Sequence, residues 1–178
     1  PGQFQRIGPI IGAWRRGLRQ YRRRRMGYPK AHWCDHPSRV LEPEELDGRD
    51  ALFDSYVMLA LRQGDERAAR LVERARRRCL SVITYMDMLA ASTAFKESFV
   101  IEAFIQGSGF EVVPMNEPIS RRAALYMEYY GVARGLSPRS ALIGATAYEE
   151  GLVLVSRPAD FGKLPELEIV PLLAHGKG

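Results

Sequence analysis

Cysteine and histidine are scarce in this 178-residue chain, and each scarcity removes a class of chemistry. Two cysteines, Cys34 and Cys79, imply no disulfide framework, so a reducing, cytoplasmic setting is expected. The three histidines, His32, His36 and His175, lie outside the segments that read as core. A serine or cysteine nucleophile would therefore lack an activating base. His32, Cys34 and His36 spell H-x-C-x-H, but no second half at zinc spacing follows, so surface residues are expected there. No apolar run approaches the ~20 residues that a membrane-spanning helix needs, and no membrane partner is expected. The arginine-studded opening residues also lack the apolar stretch and cleavage site of a signal peptide.

What is abundant is arginine, and it is unevenly placed. Residues 1–34 carry nine basic groups and no acidic one, whereas the rest of the chain has seventeen basic against twenty-one acidic groups. A mildly acidic body therefore follows a basic arm, an asymmetry that suits a polyanion or an acidic surface. In the arm, Ile10, Ile11, Trp14, Leu18 and Tyr21 fall at helical spacing with arginines between them. Three readings stand: a solvated extension, a helix that docks on RNA or a partner, or a segment lying over the chain's own acidic site. Pro37, Pro43 and the run LEPEELDGRD place the boundary near Gly48, with an arm over 1–48 and a domain over 49–178.

From Ala51 onward, short apolar runs alternate with helical periodicity. ALFDSYV reads as a first strand ending at Asp54. ERAARLVERARRRC reads as a helix with Leu71, Val72 and Cys79 on its apolar face. LSVIT reads as a buried strand, with a helix from Tyr85 that carries Asp87 in its first turn. AFKESFVIEAFIQG reads as a helix, FEVVP as a strand and RRAALYMEYYGVARG as a helix. PRSALIGATAYEEG is a further helix, with Pro138 in its first turn and Gly151 as its stop; LVLVS and LEIVPL complete the strands. Strands alternating with helices predict an α/β fold, a mainly parallel sheet covered on both faces.

In such a sheet, ligands gather at the carboxyl ends of the strands. Asp54, Asp87 and Asp160 each stand at or just beyond a strand end, and clustered carboxylates repel unless a cation joins them. A hard divalent ion such as Mg²⁺ suits oxygen ligands. Each acid also has a plainer reading. Asp54 caps the helix that follows, Asp87 complements a helix dipole, and Asp160 with Pro158 makes a turn.

The order of these segments resembles the PIN-domain nuclease family, nearest to the VapC toxins of bacterial toxin–antitoxin pairs. The resemblance rests on LFDSYVMLAL, LSVITYMDMLA and GLSPRSALIGATAYEEGLVLVSRPADF, and spans about residues 51–171. It implies a PIN-like three-layer α/β domain and a metal-dependent endoribonuclease acting on single-stranded RNA. Mg²⁺ or Mn²⁺ would be held by Asp54, Asp87 and Asp160. Ser140, Ser55 and Ser156 would lie just outside the ion's ligands, and Arg157 would touch RNA. A homodimer and a cognate antitoxin are the implied partners. Four positions depart from the family pattern: Tyr56 replaces a frequent Asn, Asp87 a usual Glu, Pro158 a usual polar residue, and Ser140 a metal-binding Asp. A hydroxyl does not replace a negative charge, so a second expectation stands beside the first: a catalytically weakened PIN module that binds RNA or a protein without cutting.

Overall fold

The computed structural model describes residues 38–172 apart from 93–94, 132–134, 162–163 and 165. The expected amphipathic helix of the arm and the H-x-C-x-H run lie outside the described residues.

Six parallel strands form one sheet: β1 (Arg39–Val40), β2 (Asp50–Phe53), β3 (Arg77–Ser81), β4 (Phe110–Val113), β5 (Val153–Ser156) and β6 (Glu168–Pro171). Their order across the sheet is β1-β6-β5-β2-β3-β4. Seven α-helices are described with them. Four are α1 (Ser55–Arg62), α2 (Glu66–Arg74), α3 (Val82–Ala90) and α4 (Phe95–Gly107); the others are α5 (Glu117–Tyr126), α6 (Pro138–Glu149) and α7 (Pro158–Phe161). The expected α/β architecture is the observed one.

Period-two alternation divides the strands between two apolar layers. Leu52, Cys79, Leu154 and Ile169 face one core, which Ile119 of α5 and Ile143 of α6 complete. Ala51, Phe53, Leu80, Val155 and Val170 face the other, filled by Val57 of α1, Leu71 of α2 and Ile105 of α4. One register step would turn either set toward the wrong layer, so these alternating residues fix the pairing.

The body extends N-terminally past Gly48. Arg39 and Val40 pair with Glu168 and Ile169, and Leu41 and Leu46 are buried in the core. Residues 38–48, placed by sequence with the arm, thus supply an edge strand and two core side chains.

The segment around Cys79 also differs from expectation. Helix α2 stops at Arg74 because Ala75 turns extended, and Arg77–Ser81 pairs with β2 and β4. Ser81 then caps α3 by accepting from the Thr84 amide at 3.0 Å. The β-branched Val82, Ile83 and Thr84 accordingly form a helical first turn rather than a strand. Asp87 falls near the middle of that helix instead of in its first turn.

Candidate active site

The strand order reverses beside β2: the chain runs outward through β3 and β4, then returns to lay β5 on the other side. Such a switch point opens a crevice at the strands' carboxyl ends. Asp54 directly follows β2, and Ser156 ends β5. The Asp54 amide donates to the Val155 carbonyl at 3.2 Å, which ties the two ends together.

Asp54 is 1% exposed, and its carboxylate is well supplied with donors. Oδ1 accepts from the Ser55 amide at 2.6 Å and the Ser55 hydroxyl at 3.2 Å, while Oδ2 accepts from the Ser156 hydroxyl at 2.7 Å. Asp54 therefore does cap α1, but capping uses only part of it. Its remaining partner is a cation. Arg139 Nη2 donates to Asp54 Oδ1 at 2.8 Å, and Arg139 Nε donates to Asp87 Oδ2 at 2.7 Å. The same Nη2 contacts the Ser55 hydroxyl. Burial works against the charge on Arg139, yet the attraction of Asp54 and the bond to Asp87 outweigh it and raise its pKa above the ordinary arginine value.

Arg139 reaches this point because of how α6 begins. Ser137 is its N-cap, accepting from the Ser140 amide at 3.0 Å, and Pro138 pre-sets the first turn. From Ser140 onward the helix packs inward through Ala141, Ile143, Gly144 and Ala145. Ser140 is buried and accepts from the Ser137 hydroxyl at 2.9 Å. The cleft is lined by its neighbour Arg139 instead.

Asp160 lines that cleft as well, from α7, but its carboxylate is paired with Arg157 at 2.8 Å. The Arg157 guanidinium also lies 4.7 Å from the centre of the Tyr56 ring. The cleft holds about 710 Å³, and one wall is apolar, built by Met58, Leu59, Met88, Ile101 and Phe104. Among the described residues, no three His, Cys, Asp or Glu side chains gather closely enough to hold a metal ion. The three acids thus share one cleft, two of them share one cation, and the third has its own arginine.

Residues 51–167 match the family model described as the PIN domain. The chain belongs to the PIN domain family. Its fold is VapC-like, as three solved structures illustrate. A chain of a toxin–antitoxin complex from Klebsiella pneumoniae is 24% identical, with a TM-score of 0.56 over 68% of this chain and 96% of that one. A chain of VapBC-1 from nontypeable Haemophilus influenzae is 18% identical, with a TM-score of 0.59 over 68% and 96%. A chain of VapBC2 from Rickettsia felis, bound to a DNA fragment from its promoter, is 14% identical, with a TM-score of 0.58 over 69% and 98%. No curated protein matches the sequence.

In this PIN domain the donor chemistry at Asp54 and Asp87 fits a hard divalent ion. Mg²⁺ commonly uses one or two carboxylates and keeps several waters, and here two carboxylates face a single cation between them. That cation is a guanidinium, and sequence reasoning missed it. A signal was present: an arginine in the first turn of a helix meets the positive end of the dipole and needs acids elsewhere to hold it. Among the described residues, no helix is long and apolar enough to cross a membrane.

Proposed function

We propose that this PIN domain is a metal-dependent endoribonuclease, the toxin of a toxin–antitoxin pair, acting on single-stranded RNA in the cytoplasm. The observation that carries the reading is the opening of Asp54, Asp87 and Asp160 on one cleft at the sheet's switch point. In this reading Asp54 and Asp87 would hold Mg²⁺ or Mn²⁺, with Asp160 on the wall of the same cleft. A divalent ion held there supplies positive charge that polarises the scissile phosphate and acidifies a water.

The chain's own groups do the rest. Ser55 and Ser156 fix the Asp54 carboxylate by donating to different oxygens. Arg157 offers a phosphate contact at the rim, and Tyr56 beside it offers a face for a base. The apolar wall of the cleft suits a helix of the cognate antitoxin, and the active species is a homodimer.

A second reading has its own support. Arg139 already bridges the Asp54–Asp87 pair and offsets one of its two charges, and Ser140 brings a hydroxyl where a fourth acid is expected. A module so arranged would bind RNA or a partner and cut weakly or not at all. A metal-titrated cleavage assay on single-stranded RNA, with Ser140→Asp alongside, separates the two. The nuclease reading expects Mg²⁺-dependent product from the wild-type chain. The weakened reading expects none from wild type, and no gain from Ser140→Asp would place position 140 outside the site.

A further inference from the structure

Two carboxylates that face each other across a cleft favour a cation between them, and this chain supplies one from its own side chains. Arg139 comes from α6, while Asp54 follows β2 and Asp87 lies within α3. Its guanidinium contacts both acids through different nitrogens, at 2.8 Å and 2.7 Å. Charge-assisted bonds of this length are among the stronger ones. Asp54 is buried, so its charge cannot be left to solvent when the guanidinium departs. A divalent cation is therefore a fitting replacement for Arg139 between the two acids.

We propose that Arg139 is the resident cation of this site: its guanidinium occupies the position a divalent ion would take between Asp54 and Asp87, and ion and arginine bind there in competition. The proposal rests on reading that carboxylate pair as the metal position. It makes Arg139 the residue that sets metal affinity, ahead of the missing acid at Ser140. Arginine suits the role better than lysine, because its planar fork reaches two carboxylates at once. The metal-binding midpoint would then be shifted upward, with full occupancy only at ion concentrations well above those an open pair of acids requires.

The test is Mn²⁺ binding, read by isothermal titration and by the electron paramagnetic resonance signal of free ion, on the full chain without RNA. Arg139→Gln should bind Mn²⁺ about tenfold or more tightly than wild type, a change equivalent to one competing charge-assisted contact. Mn²⁺ should also raise its melting temperature more than that of wild type. Arg139→Met keeps the aliphatic stem and serves if the glutamine variant fails to fold. Adding Asp54→Asn to either variant should remove the gained affinity. Equal affinity in wild type and both Arg139 variants, still dependent on Asp54, would overturn the competition and leave the ribonuclease reading standing. No Asp54-dependent binding in any variant would overturn the proposal and the metal-dependent reading together.

Discussion

The Ser156 hydroxyl donates to Asp54 Oδ2 at 2.7 Å, joining residues 102 positions apart at the ends of two adjacent strands. Both side chains are buried, so neither has water to fall back on. Removing the hydroxyl leaves one carboxylate oxygen short of a donor in a desolvated place. Ser156→Ala should therefore lower stability by about 1–3 kcal/mol. Urea unfolding should show a lower midpoint at an unchanged slope. An unchanged midpoint would mean that this bond contributes nothing to the fold.

Asp54→Asn removes the charge at nearly constant size while keeping one oxygen for Ser55 or Ser156. Mg²⁺-dependent cleavage of a labelled single-stranded RNA should fall to background while the circular dichroism spectrum is retained. Cleavage that survives the substitution, or that persists in chelator, would count against metal catalysis at this site.

Arg157 lies half exposed at the rim of the cleft, against Asp160 and the Tyr56 ring. Arg157→Ala should weaken RNA binding and reduce the slope of log affinity against log salt by about one, as expected for one lost phosphate contact. An affinity loss with an unchanged salt slope would assign Arg157 a packing role instead.

Gly144 sits where α6 meets Leu164. A Cβ added there would lie 2.4 Å from Leu164 Cδ1 and 3.4 Å from Leu167 Cδ1, and both leucines are fully buried or nearly so. Gly144→Ala should destabilise by about 1–3 kcal/mol through overpacking, although alanine is the better helix former. A gain in melting temperature would show that Leu164 yields freely.

Cys79 is buried in β3, and burial pushes its thiol up to about 11 from an ordinary 9.0. The folded state therefore holds the proton more tightly than the unfolded chain does. The stabilisation is complete below pH 9.0 and is lost as pH rises through about 11. Between those limits, unfolding midpoints should fall more for wild type than for Cys79→Ala. In a Cys34→Ser background, a disulfide reagent at pH 8 should label Cys79 only after denaturant is added; prompt labelling of that folded variant would contradict the burial of Cys79.

The alternation of apolar runs with helical periodicity was enough to predict the α/β fold, because burial on two faces leaves its mark residue by residue. Asp54 was legible as an acid that breaks an apolar run at a strand end, whereas Asp87 lies within α3 and not beside a strand. The start of β3 was not legible. The helical stripe of ERAARLVERARRRC continues to Cys79 in sequence, and only pairing of Cys79 and Leu80 between β2 and β4 pulls that stretch out of the helix. Residues 38–48 were misplaced for a similar reason. A two-residue edge strand has no pattern of its own and exists only because β6 offers it an edge.

Local sequence thus determined which segments are apolar, that Asp54 ends a strand and caps the next helix, and which acids are candidates for the site. Chain topology alone decided what those acids meet. Arg139 is 52 residues from Asp87 and 85 from Asp54, so no spacing rule couples them. The reversal of strand order beside β2 brings the end of β5 against Asp54, and the capped first turn of α6 presents a guanidinium between two carboxylates. Electrostatics at that point is a sum over groups distant in sequence, and it acquires a sign and a magnitude only once the fold has set the distances.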